Sequence, residues 1–267
     1  ISIFYFLKFL ENKNFKFCIL NIVFYVLSSY ISPNFSLFSI FFIYHFFKIY
    51  GFFSNNFFKI LFIHAVLSFP AIYYVFILDI NFLFAKATVN LPGEDKLFVN
   101  FFNQILIIPT ILFFYFIPFI FTKTLVIDLT RNFIIFSLVT IIVTFLSINF
   151  FDYRIDFTGG GIFFHISHLV LQNNLIFFFF LFISIFFILN IFFRNAENFL
   201  LLIIIFLGNP QTTIYHKYYD PLLVILIFSL LTLNFDYKKL SKLNHILVIY
   251  VYFSIFLVIS NLKHLLN

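Results

Sequence analysis

Polar and ionisable side chains are scarce among the 267 residues of this chain, so the few places where they gather are where chemistry can be sought. The densest stretch is Asn209-Pro210-Gln211-Thr212-Thr213-Ile214-Tyr215-His216-Lys217-Tyr218-Tyr219-Asp220-Pro221, set directly between two apolar runs. A belt of interfacial aromatics would account for Tyr215, Tyr218 and Tyr219 by themselves, because a ring with a polar tip suits a membrane boundary. It would not call for Asn, Gln, His, Lys and Asp in the same dozen residues. Gln211, Tyr215, His216 and Lys217 have the donors and the charge to hold a phosphate, and Asp220 can orient one of them or take a proton.

A second gathering reads Phe151-Asp152-Tyr153-Arg154-Ile155-Asp156-Phe157-Thr158 and then three glycines, Gly159, Gly160 and Gly161, which are half of the chain's six. Glycine is costly to order, so three in a row indicate a backbone that turns sharply or comes close to a ligand. With Asp152, Arg154 and Asp156 at alternate positions the loop reads as a polar substrate loop, or as a turn carrying a surface ion pair of little energetic weight. Residues 162–171 follow with the pattern of a short amphipathic helix, and His165 and His168, three apart, share one face. That spacing permits shared metal ligation, but no third ligand lies at a suitable spacing, and phosphate contact or an interfacial position is the preferred reading. Asp79, near the end of an apolar run broken by Pro70, is expensive in hydrocarbon unless it faces water or a partner. Glu94 and Asp95, after Pro92 and Gly93, have the composition of a solvated turn.

The elements that must position these groups follow from composition. Apolar residues make up 63% of the chain, charged residues only 10%, and the mean hydropathy is +1.10. Too few polar side chains are present to surround a core with a water-compatible surface. In lipid, backbone groups must be satisfied within their own segment, so the apolar runs read as helices. Nine are legible, at residues 17–31, 35–50, 57–82, 103–121, 132–150, 174–193, 199–207, 221–233 and 246–259. The run 199–207 is short enough to be either a crossing or a half-helix. The expected fold is an all-α polytopic transmembrane bundle of about eight or nine spans.

The positive-inside rule orients that bundle. With nine crossings, Lys8, Lys13, Lys16, Lys48, Lys59, Lys123, Arg131, Arg194, Lys238, Lys239 and Lys242 fall on one side, eleven in all, against five on the other, Lys86, Lys96, Arg154, Lys217 and Lys263. The amino-terminal segment is then cytoplasmic. The three longest polar connections, 81–102, 151–173 and 208–220, lie on the opposite face, where longer, chemically mixed loops place the work of the molecule.

The 52 Phe, beside no Met and no Trp, match an A/T-rich coding sequence and carry no functional weight. The absence of Met makes the chain read as an amino-terminally truncated fragment of one membrane domain covering residues 1–267. A lone Cys18 offers no disulfide or cluster, and no cofactor is indicated. The net charge of +6 is scattered between apolar runs rather than gathered on a face, which excludes nucleic acid as the expected partner and leaves membrane lipid.

At these loops the chain resembles the carboxyl half of multi-spanning glycosyltransferases that use lipid-linked sugar donors. Asn209-Pro210-Gln211 ahead of Tyr215-His216-Lys217-Tyr218 carries the likeness, together with Ser68-Phe69-Pro70-Ala71-Ile72-Tyr73-Tyr74, similar to a kinked aromatic span of the glucosyltransferases that finish lipid-linked oligosaccharides. The resemblance implies a polyprenyl-phosphate sugar as partner at the non-cytoplasmic face. It also implies an essential acid in the first outer loop. Ser32-Pro33-Asn34 has none, so that acid would precede Ile1. A bacterial inner membrane is the expected location, with the mitochondrial inner membrane as alternative. Two other readings stay open: a structural or proton-conducting subunit of a respiratory complex, for which the spans offer only His45 and His64, and a transporter, for which Pro70 and the 208–210 break speak.

Overall fold

The computed structural model describes residues 1–76, 101–128, 132–154, 159–208, 214–216 and 219–266. Among the described residues the chain is all-helical, with one isolated antiparallel bridge, Leu125 with Phe235. Four helices are long and apolar enough to cross a membrane, and several shorter apolar helices accompany them. Within the described residues each apolar run carries a helix, although residues 77–82 of the 57–82 run lie outside them and the 221–233 run is helical only to Ser229; a total of eight or nine crossings does not follow from their lengths.

The described residues divide into two compact units. The first, Ile1–Gln104 with Ala196–Ile214, contains α1 (Ser2–Asn12), α2 (Phe15–Ile31), a 3-10 turn at Pro33–Leu37, α3 (Phe38–Tyr50), α4 (Asn55–Phe76) and, later in the chain, α9 (Ala196–Leu207). Lys13 takes a left-handed conformation and Asn14 accepts a bond from the Lys16 amide, so the chain reverses within two residues and α1 lies along α2. The pairing is closed by Asn21, whose Nδ2 donates to the Ser2 carbonyl at 3.0 Å and to Ser2 Oγ at 2.9 Å. The last turn of α3 meets the first turn of α9 through Lys48 and Glu197, 2.9 Å apart. Both ends belong to loops expected in the cytoplasm, and Glu197 also favours the positive end of its own helix.

The second unit, Ile105–Asn195 with Tyr215–Asn267, holds most of α5 (Phe101–Phe121), then α6 (Phe133–Phe150), α7 (Ile162–Leu171), α8 (Leu175–Phe192), α10 (Asp220–Ser229), the single turn α11 (Tyr237–Leu240) and α12 (Leu243–Leu266). Inside these helices polar side chains bond back to their own backbone: Thr140 to the Phe136 carbonyl at 2.6 Å, Ser184 to Phe180 at 2.6 Å, and Asn190 to Phe186 at 2.8 Å. Such internal satisfaction is what a hydrocarbon surround demands. Helix α5 is buried along most of its length, whereas α6 exposes Ile134, Leu138, Ile141 and Phe145, a face that only lipid or another protein would tolerate.

Each end of this unit gathers a particular set of connections. At one end the α5–α6 and α10–α11 loops are stitched by the Val126 amide to the Asn234 carbonyl (2.9 Å) and the Asp236 amide to the Thr124 carbonyl (2.8 Å). Asn195 bonds Thr232 there, and Arg194 lies 3.9 Å from Asp128. Lys123, Arg194, Lys238, Lys239 and Lys242 are all in these connections. At the other end Phe151, after α6, stacks on Phe177 of α8 with ring centres 4.8 Å apart, and His168 of α7 bonds Asn174 at 2.8 Å. Within this unit the connections that follow α5, α8 and α10 thus share one end, and those that follow α6 and α7 share the other.

Candidate functional site

The segment before α7 runs inward. Residues 151–154 alternate, with Tyr153 buried and Asp152 and Arg154 exposed, as expected for extended backbone over an apolar surface. Gly160 and Gly161 then adopt φ of 102° and 80°. A Cβ on Gly160 would stand 2.7 Å from the Phe164 ring and 2.8 Å from the Tyr153 ring, and one on Gly161 would press Ile111 of α5 at 3.3 Å. The glycines thus provide the sharp turn and the close approach, and what they approach is aromatic and aliphatic side chains.

This turn starts α7 against the wall of α5, and the first amide of the helix is met by a side chain from a distant loop. The Ile162 N–H donates to His216 Nε2 at 3.1 Å. An Nε2 that accepts must be unprotonated, which places the proton of the neutral ring on Nδ1. Burial holds His216 down to about 4, well below the usual imidazole range, and the nearby His165 opposes its protonation further. The positive end of α7 acts in the same direction. His216 is consequently a neutral donor at physiological pH, and cannot serve as a cation for a phosphate.

His216 is also enclosed by rings. Phe114 stands edge-on at 5.4 Å, Phe256 of α12 lies at 5.3 Å and Tyr115 at 6.3 Å. Phe114 is seven residues before the end of α5 at Phe121, roughly 10 Å along the axis, so His216 lies inside the unit rather than at its end. Four residues on, Asp220 opens α10, with Pro221 beside it in the first turn, where a missing amide costs nothing. Its Oδ1 lies 3.9 Å from His216 Nδ1, too far for a direct hydrogen bond, and among the described residues neither atom has a hydrogen-bond partner. Burial pushes the Asp220 carboxyl up to about 6. A proton-donating ring nitrogen and a carboxylate poised near neutrality thus face one another, at a separation that a hydroxyl contacting both would span.

Of the residues singled out in the sequence, His165, His216 and Asp220 come together here, with Tyr215 joined to His216 by the chain. His165 and His168 do not act as a pair, because His168 turns to Asn174 and stacks edge-on with Phe164 at 4.6 Å. Asp152 and Arg154 face outward from the loop. Asp79, Asp156, Gln211 and Lys217 lie outside the described residues. Among the described residues no three His, Cys, Asp or Glu side chains gather as metal ligands would.

Several participants carried no signal of their own. The Ile162 amide is backbone, and Phe114 and Phe256 are two Phe among 52. Tyr252 was legible in principle. Pro118 has no N–H to offer the carbonyl four residues earlier, which predicts an acceptor seeking a donor, and Tyr252 Oη of α12 donates to that Phe114 carbonyl at 3.1 Å.

No protein-family model, curated protein or solved structure matches the chain.

Proposed function

We propose that this helical membrane protein is a transferase that moves a sugar from a lipid-phosphate carrier to a hydroxyl acceptor at the non-cytoplasmic face. The observation that carries the reading is the Asp220–His216 pair. Asp220, raised to about 6, is matched to accept a proton near neutral pH, and a general base works best with such a value. In the step, the acceptor oxygen forms a bond to the anomeric carbon while the bond from that carbon to the phosphate oxygen breaks. The lipid phosphate leaves with the electron pair, and the hydroxyl proton passes to Asp220. His216 Nδ1–H orients the acceptor oxygen, held in that tautomer by Ile162.

The nine-crossing arrangement belongs to the same reading, with the end that carries Lys123, Arg194 and Lys238–Lys242 in the cytoplasm and the Asp220 loop entering from the opposite face. In purified, reconstituted protein, a polyprenyl-phosphate sugar should be turned over, and Asp220→Asn should lower the rate by roughly 10²- to 10⁴-fold without loss of donor binding. Neither binding nor turnover across such donors would remove the reading.

A transporter is the second reading, favoured by one observation. Helices α7 and α10 are each ten residues, and both begin beside His216, as half-helices do around a mid-membrane binding site. Movement of a phosphate-bearing solute into sealed vesicles without any transfer product would select it.

A further inference from the structure

The basic end of the second unit carries a groove that the transferase reading does not use. It opens between α10, α11 and α12, has a volume of about 430 Å³, and is lined by Phe228, Tyr237, Leu240, Ile246, Ile249 and Tyr250. That volume is within the ordinary range of ligand sites, about 300–1,000 Å³, and almost everything on its walls is apolar. Phe228, Tyr237 and Tyr250 are themselves more than half exposed.

The rim is charged. Turn α11 sets Tyr237 and Leu240 toward the groove, and its remaining positions are Lys238 and Lys239, with Lys242 two residues beyond its end. Lys239 is engaged by Asp236, 3.2 Å away, which also caps the turn by accepting from the Lys239 amide. Asp236 is the carboxylate of this rim, and the ion pair holds it below its usual range. Lys238 and Lys242 are four apart and exposed, and among the described residues no ion pair engages their ammonium nitrogens. The rim therefore has two positive charges in excess. Its position is fixed from below, because the Leu125–Phe235 bridge anchors the loop just before α11.

An apolar trough ending in two uncompensated ammonium groups at the basic end of a membrane bundle has the complement of an anionic phospholipid. We propose that this groove binds one, acyl chain along Phe228, Ile246 and Ile249, phosphate at Lys238 and Lys242. Zwitterionic lipid would fill the trough equally but gain less at the rim, and a protein segment would need acids to match the lysines. This site rests on the membrane reading alone and is independent of any sugar transfer.

The whole chain in nanodiscs containing equal phosphatidylglycerol and phosphatidylcholine provides the test, with lipid retained after detergent extraction counted by native mass spectrometry at low salt. Phosphatidylglycerol should be retained in preference. Each lysine near a membrane surface contributes roughly fivefold, so Lys238→Gln with Lys242→Gln should erase about 25-fold of that preference while total retained lipid stays level. Ser241→Trp, which fills the trough wall, should lower retention of both lipids without affecting the monodispersity of the protein. Equal retention of the two lipids by the unmodified chain, or an undiminished preference in the double variant, would overturn the proposal. Ser241→Trp that retains both lipids fully would overturn it as well.

Discussion

At the scale of single residues, two ionisable groups in one enclosure are displaced in opposite directions, and this sets the pH behaviour. Asp220 is raised to about 6 from 3.8, so the folded state holds its proton more tightly than the unfolded chain, and its contribution to stability is lost as pH rises through that interval. His216 is lowered to about 4 from 6.5, so the folded state binds fewer protons there and its contribution grows as pH rises from 4 toward 6.5. The two slopes oppose one another across nearly the same window. Stability of the unmodified protein should accordingly be nearly flat between about pH 4 and 6 as far as this pair is concerned. In Asp220→Asn the His216 slope is left alone, and the variant should lose stability on acidification where the parent does not. Thermal unfolding in detergent from pH 4 to 7 measures the difference; parallel profiles for the two proteins would contradict the coupling. His165, which opposes protonation of His216, is present in both and does not alter the comparison.

The helices themselves were written plainly in the sequence, and their interactions were not. Residues 17–31, 132–150 and 174–193 were readable as helices because uninterrupted apolar runs leave the backbone no other way to satisfy its hydrogen bonds, and α2, α6 and α8 agree with them to within about two residues at each end. Helix α7 was legible from its amphipathic pattern as well. The nine apolar runs begin only at residue 17, yet the segment before them forms α1 alongside α2, a pairing whose closing contact is a single Asn. The site was legible in its residue types but not in its wiring: nothing local to His216 announces that its partner is the Ile162 amide, 54 residues away. Proline supplied the kind of signal that does reach across elements. Pro118 frees the Phe114 carbonyl within α5, and Tyr252 in α12 satisfies it. Tyr252→Phe should therefore destabilise the protein by about 0.5–1.5 kcal/mol, since an unmet carbonyl in an apolar interior loses its bond without gaining water. A detergent melting temperature indistinguishable from that of the parent would show that the α5–α12 contact does not depend on this bond.

At the scale of the molecule, the proposed arrangement has the two ends of the second unit facing opposite sides of a membrane. Lys123, Arg194 and Lys238–Lys242 gather at one end, and the loops of Asp152 and His168 gather at the other. In the proposed arrangement charge bias orients the first toward the cytoplasm, and the Asp220 site is reached from the far face. The lone Cys18 is buried, so replacing it by Ser leaves a background in which one introduced thiol reports its own side. Asp152 and Lys238 are both exposed positions suited to that purpose. The most direct measurement is labelling of Asp152→Cys and Lys238→Cys, each in the Cys18→Ser background, with a membrane-impermeant maleimide on intact cells and again after permeabilisation. Asp152→Cys should label on intact cells and Lys238→Cys only after permeabilisation; labelling of both from the same side would contradict the arrangement and with it the outward-facing site.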